Sequence, residues 1–201
     1  GPATEYPDPR TFSSQLGETL CVAMDRDPDV VAITAGMCHG TGLATVRDRF
    51  PDRFFDVGIA EEHAVVFAAG LAAAGLKPLI AIYATFMQRA FDYVLHDVLL
   101  QKLPVVFCLD RAGIVDDGPT HHGIQDLAWW NALPGLTVLQ PADSSMLRSM
   151  VEHQLSAGVP SVIRYPKSAA DPAPADAPPF EPGKAAVLRE GADCAIWAAG
   201  R

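Results

Sequence analysis

Six short apolar runs constrain the fold of this 201-residue chain more than any other feature. They occupy 30–34 (VVAIT), 54–57 (FFDV), 78–83 (PLIAIY), 105–110 (VVFCLD), 136–140 (LTVLQ) and 161–165 (SVIRY). Most are continuously apolar rather than alternating. Strands buried on both faces read that way, and such strands belong to parallel sheets covered by helices. Helix-patterned stretches fall before and between them. Phe12, Leu16 and Leu20 repeat every four residues. The Ala-rich stretch 61–74 runs to Gly75, a C-cap candidate. Phe86, Ala90, Val94 and Val98 mark a stripe along 86–101. Asp143 stands as N-cap of 143–156, with Met146, Leu147 and Met150 on the inner side. Strand and helix in alternation predict an α/β domain with about six mostly parallel strands flanked by helices.

Four units follow along the chain. Residues 1–10 are a tail and 11–167 the α/β domain. Residues 168–183 are rich in Pro, Ala and Asp and read as an extended linker. Residues 184–201, with ADCAIWAAG, read as the first strand of a further domain cut short. The competing expectation is a last strand that completes the same sheet.

The net charge of -9 speaks against non-specific nucleic-acid binding, which needs a basic face, and leaves room for a local cationic pocket for a small anion. No apolar run approaches the roughly 18 residues of a membrane span. Cys21, Cys38, Cys108 and Cys194 are far apart and form no C-x-x-C pair, so neither a zinc site nor a disulfide framework is expected, and a reducing cytoplasm fits.

In an open parallel sheet, ligands sit outside the carboxyl ends of the strands. Four loops meet that description: 35–43 (AGMCHGTGL), 58–63 (GIAEEH), 84–89 (ATFMQR) and 111–123 (RAGIVDDGPTHHG). Each has a plain structural explanation as well. The glycines suit turns and form no phosphate-binding fingerprint. Glu61 and Glu62 suit the start of a helix, where carboxylates meet the positive dipole end. Phe86 suits a core, and Arg111 a surface. Asp116, Asp117, His121 and His122 lie within seven positions, a density of titratable groups that points to a site. A metal competes for that cluster, but a third well-spaced ligand is missing.

The segments DVGIAEEHAVVFAAGLA, KPLIAIYATFMQRAFDYVLHDVLLQKLPV and DRAGIVDDGPTHHG closely resemble the deoxyxylulose-phosphate synthase family of thiamine diphosphate enzymes, over about 11–167. The resemblance implies the pyrimidine-binding, transketolase-like central domain of a three-domain chain. The Gly-Asp-Gly magnesium motif of the family's diphosphate-binding domain is nowhere in the sequence. The cofactors implied are thiamine diphosphate and Mg2+, the metal being held by that other domain or subunit and not by this chain.

The family's roles carry over by position. Glu61 matches the glutamate at the pyrimidine ring nitrogen N1', where a carboxyl helps the ring's amino group take the proton from the thiazolium carbon. Tyr83 and Phe86 match the aromatics around the pyrimidine. His121 matches a histidine placed for proton transfer with the substrate. Tyr83 and Asp117 match substrate contacts, and Arg111 and Arg164 match arginines that hold a phosphate. The implied reaction is a transferase reaction. It joins pyruvate to glyceraldehyde 3-phosphate with loss of CO2, giving 1-deoxy-D-xylulose 5-phosphate for isoprenoid and thiamine biosynthesis, in a homodimer. Its alternatives are the small subunit of a split transketolase-like enzyme and a non-catalytic partner-binding domain. The sequence departs from the family in having Glu62 in place of Gln, Cys38-His39 in the first loop, and one residue fewer before Asp117-Gly118.

Overall fold

The computed structural model describes residues 8, 10–173 and 177–200. Its centre is a six-stranded sheet: β1 (Val30–Thr34), β2 (Phe54–Asp56), β3 (Lys77–Tyr83), β4 (Val106–Asp110), β5 (Thr137–Leu139) and β6 (Ser161–Arg164). The order is β2-β1-β3-β4-β6-β5, and every neighbouring pair is parallel. The fold is thus the α/β layering expected, with all strands parallel rather than most.

Successive strand residues face opposite sides, and each side has its own core. On one face Val30, Ala32, Leu79, Ala81, Val106, Cys108 and Ile163 pack with α1 (Phe12–Arg26), α2 (Ala44–Arg49) and α7 (Ser144–Ala157). On the other, Ile33, Ile80, Ile82, Phe107, Leu109 and Val162 pack with α3 (Glu61–Ala73), residues 84–99 and α6 (Asp126–Asn131). The helix ends have local causes. The Thr11 side chain accepts from the Ser14 N–H at 3.3 Å, and Asp143 accepts from the Met146 N–H at 2.8 Å. Past α3, Ala74 caps the helix, and Gly75 follows in the left-handed region at φ 94°.

The expected continuous helix over 86–101 is broken. A short α4 (Ala84–Met87) tightens into a 3-10 turn at Gln88–Ala90, passes through α5 (Phe91–Tyr93), and widens into a π-turn at Val94–Leu99. Met87, Ala90, Val94 and Val98 are fully buried, so Met87 takes the stripe position expected of Phe86. The tightening frees Phe86 to lie half-buried above the strand ends.

The start of the expected linker is tied down. The Phe12 N–H donates to Ser168 O, Ala170 N–H to Arg10 O, and Ser144 N–H to Asp171 O. Further on, Phe180 packs on the α7 side and meets the His153 ring edge-on at 6.0 Å. Residues 184–200 contain no strand and add none to the sheet, and Trp197 is exposed. Of the expected tail and linker, 1–7, 9 and 174–176 lie outside the described residues, as does the final residue of the C-terminal segment. Among the described residues, no helix is long and apolar enough to cross a membrane.

Candidate active site

The carboxyl ends of β1, β3, β4 and β6 come together at one rim. Asp56 ties two of its loops, accepting from the Gly36 N–H at 2.7 Å and the Gly58 N–H at 3.0 Å. α3 then begins at Ala60 without a side-chain cap, and its first turn holds both glutamates. They part company at once. Glu61 turns inward and is 2% exposed, while Glu62 stays half-buried. A carboxyl so deeply buried needs a partner. Glu61 has one in Arg89, whose Nη1 donates to it at 3.1 Å. Arg89 is half exposed, and its guanidinium lies 5.5 Å from the centre of the Phe86 ring.

Tyr83 ends β3 and its ring stacks on Phe86 at 5.8 Å and 22°. The ring reaches this place because position 40 is glycine. A Cβ there would fall 1.7 Å from the Tyr83 hydroxyl. Burial pushes the Tyr83 hydroxyl above its ordinary pKa. His121 completes the group, edge-on to Phe86 at 5.3 Å, with its Nδ1 2.9 Å from the Thr120 hydroxyl. Clefts of 330 Å³ and 490 Å³ flank the aromatic pair, one lined by Tyr83 and the 36–40 loop, the other by Phe86, Arg89 and His122. Next to it in sequence, His122 staples the loop instead, its Nδ1 accepting from the Val115 N–H at 3.2 Å. Among the described residues, no three His, Cys, Asp or Glu side chains gather as a metal site.

The charged side of the rim begins with Arg111, at φ 63°, a left-handed backbone that a non-glycine residue rarely adopts. Its guanidinium carbon lies over the Tyr83 ring, 3.6 Å from the ring centre. It donates to Asp110 at 3.2 Å, Gly40 O at 3.1 Å and Asp117 at 3.3 Å. Lys167 joins the same cluster, donating to Asp116 at 2.9 Å and Asp117 at 3.0 Å. Burial pushes the Asp117 carboxyl up, but Lys167 and Arg111 together hold it below its ordinary value. Sequence reasoning missed Lys167. The signal available was its place two residues past the apolar run 161–165, at the carboxyl end of a predicted strand.

Arg164 ends β6 at the same rim, where its partners Gly123 and Asp126 help line the 490 Å³ cleft. Its side chain is 8% exposed, and its guanidinium makes four hydrogen bonds: two to Asp126 at 2.9 and 3.0 Å, one to Gln140 at 2.6 Å and one to Gly123 O at 3.1 Å. The expectation that it grips a substrate phosphate therefore meets a physical objection. A guanidinium has five N–H donors, and four of these are already spent inside the protein.

The family model for the transketolase pyrimidine-binding domain matches residues 8–172. This chain belongs to that family. Among curated relatives, the chain is 49% identical to 1-deoxy-D-xylulose-5-phosphate synthase of Syntrophus aciditrophicus (strain SB) over 201 aligned residues. It is 50% identical over 200 to the synthase of Gloeobacter violaceus (strain ATCC 29082 / PCC 7421). These alignments cover 98% and 96% of this chain but 31% of each relative, so the chain spans under a third of their length. Among solved structures, a split gene transketolase described as an inactive beta4 tetramer superposes with a TM-score of 0.78 at 31% identity. That match covers 90% of this chain and 59% of that one. Transketolase of Campylobacter jejuni subsp. jejuni NCTC 11168 superposes with a TM-score of 0.73 at 21% identity, over 82% and 28% of the two chains, a likeness of fold.

Proposed function

We propose that this chain is the pyrimidine side of a thiamine diphosphate-dependent synthase that joins pyruvate to glyceraldehyde 3-phosphate and releases CO2. The observation that carries the reading is Glu61: a buried carboxyl at a helix start, beside a stacked aromatic pair, in a chain half identical to such synthases. The residues fit the group. Tyr83 and Phe86 offer a flat aromatic wall. Glu61 offers a carboxyl to a ring nitrogen, and Arg89, its present partner, is exposed enough to move aside. When bound, thiamine diphosphate supplies the carbon nucleophile and the electron sink that cleavage next to a ketone requires.

This chain's own residues orient and move protons around it. Glu61 holds a proton at the ring nitrogen. His121, in contact with Phe86, exchanges a proton with a substrate oxygen. Arg111 and Lys167 take the acceptor's phosphate, and Asp117, between them, contacts its hydroxyls. Arg164 holds the Gly123–Asp126 turn that ends the His121 loop. The diphosphate and Mg2+ fall to a second domain or subunit, in a cytoplasmic homodimer.

The test combines this chain with a diphosphate-binding part and offers both classes of donor. Turnover of pyruvate with glyceraldehyde 3-phosphate is expected. Glu61→Gln should slow proton exchange at the cofactor's reactive carbon by about 10²–10⁴-fold with the fold intact. If Glu62→Gln slows it and Glu61→Gln does not, the assignment of Glu61 is wrong. A second reading, the small subunit of a split transketolase-like enzyme, is favoured by the likeness to the split gene transketolase. Turnover of xylulose 5-phosphate but not pyruvate would select it.

A further inference from the structure

Asp110 is the last residue of β4, fully buried, and plays no part in the chemistry above. It lies opposite Tyr83 in the register of β3 and β4. One carboxylate oxygen accepts from the Ser13 hydroxyl at 2.5 Å, and the other from Arg111 Nη1 at 3.2 Å. Ser13 is itself buried near the start of α1. That end of α1 abuts the glycine loop so closely that a Cβ on Gly42 would fall 1.9 Å from Ser13 O. Gly40, in the same loop, accepts from Arg111 and leaves room for the Tyr83 hydroxyl. The chain of contacts therefore closes on itself: α1, Ser13, Asp110, Arg111, Tyr83, the glycine loop and α1 again. Arg111 is the member nearest the rim, itself only 8% exposed, and its Nη2 makes no hydrogen bond to a described residue.

We propose that Asp110, anchored by Ser13, is a positioning residue that fixes the Arg111 guanidinium on the Tyr83 ring with one edge free for an anion, and that protonation of Asp110 releases it. The anion role rests on the reading of Arg111 given above; the positioning does not. The groups facing Asp110 are Ser13 from α1, Tyr83 opposite it on β3, Cys108 on its own strand, Arg111 after it, and Tyr165 after β6. Only Arg111 among them is a cation. Burial raises the Asp110 carboxyl to about 6, against the pull of Ser13 and Arg111. The strained backbone of Arg111 is consistent with a side chain held in one pose by its surroundings.

The test is NMR of the Arg111 Nε–Hε group in this chain, with sulfate as probe because its charge stays constant from about pH 5 to 8. A sharp Arg111 signal is expected at about pH 7.5, broadening as pH falls through about 6. Sulfate affinity should fall about tenfold across that step, as for loss of one charge-assisted contact. Asp110→Asn should give the low-pH behaviour at every pH. Ser13→Ala keeps the carboxylate but removes a donor that favours it, so the step should move to higher pH; it serves if Asp110→Asn does not fold. An Arg111 signal indifferent to pH and to both substitutions would overturn the positioning role. A signal that responds as expected, with sulfate binding no weaker in Arg111→Ala, would keep the positioning and remove the anion reading.

Discussion

Arg111 follows β4 and Arg164 ends β6, the strand hydrogen-bonded beside it, and each guanidinium meets a buried aspartate. The family resemblance assigns both the same role. Their surroundings differ. Arg164 sits on ordinary strand backbone and makes four hydrogen bonds inward, two of them bidentate to Asp126. Arg111 sits on left-handed backbone and keeps one edge unbonded, with its face on an aromatic ring. A buried pair with nearly every donor engaged holds a loop in place. Arg111 is nearly as buried, and under the function proposed above the donors it leaves unbonded are those available to an anion. The difference teaches that an arginine's role lies in how many of its N–H groups the protein has already claimed.

The largest effect should fall on Arg164. Arg164→Ala leaves the Asp126 carboxyl buried without its cation, which typically costs about 3–5 kcal/mol. Urea unfolding followed by circular dichroism measures this. The double variant Arg164→Met with Asp126→Leu should recover much of the loss, since it removes both charges and fills the space. If the double variant recovers none of the loss, the stranded charge of Asp126 is not its cause and the structural role given to this pair fails.

How far the sequence reveals all this follows from what each feature depends on. The strands are legible because burial on both faces leaves a continuous apolar run, and 30–34 matches β1 residue for residue. Glu61, Tyr83, Phe86 and His121 are singled out by the family resemblance rather than by pattern alone, and the structure brings the three rings together, with Glu61 joined to Phe86 through Arg89. Three things are hidden. The break at Gln88–Ala90 depends on which of Phe86 and Met87 the core accepts, a packing choice with no trace in periodicity. The separate fates of Arg111 and Arg164 depend on partners 71 and 38 residues away, Gly40 and Asp126. Lys167 reads as the last residue of the α/β domain, a plain charge before the Pro-rich linker, yet Asp117 draws it to the site.

The next effect is one of pH, and it sharpens the Arg111 side of the comparison, where burial raises the Asp110 carboxyl. Its folded value of about 6 stands above the ordinary 3.8. The ionised form is thus disfavoured by folding. Above about pH 6 the folded state carries that cost, about 3 kcal/mol by the size of the shift. As pH falls from about 7 towards 4, the folded state takes up the proton first and the cost is relieved. This group's contribution to stability therefore rises on acidification, while Asp117, with its lowered value, contributes stability that is lost only at lower pH. The gain in stability between about pH 7.5 and 5 should be larger in the wild type than in Asp110→Asn, measured by urea titration. The same acidification frees Arg111, so stability and anion binding should move in opposite directions. If they move together, Asp110 is not the group responsible.

The smallest effect expected is that of Lys167, and it tests where the second cation of the site lies. Lys167 is a third exposed, and it shares Asp117 with Arg111. Exposed ion pairs contribute about 0–1 kcal/mol to folding, so Lys167→Met should leave the urea midpoint almost unmoved. Its effect on the acceptor should be distinct. An ammonium is a mobile point charge, while the guanidinium of Arg111 is a fixed fork. In the assembled enzyme, Arg111→Ala should raise the KM for glyceraldehyde 3-phosphate by about 10- to 100-fold, and Lys167→Met by less than about tenfold. Donor decarboxylation without acceptor should change little in either. Removing Lys167 also leaves Asp116 and Asp117 less opposed beside an incoming dianion, so part of the rise is repulsion, and added salt should reduce it. Lys167→Arg should restore the KM, because it keeps the charge that screens the two aspartates. If instead Arg164→Lys, a variant that retains charge at the buried site, raises the acceptor KM while Lys167→Met leaves it unchanged, the phosphate is held by Arg164. The loop-holding role assigned to that arginine is then wrong.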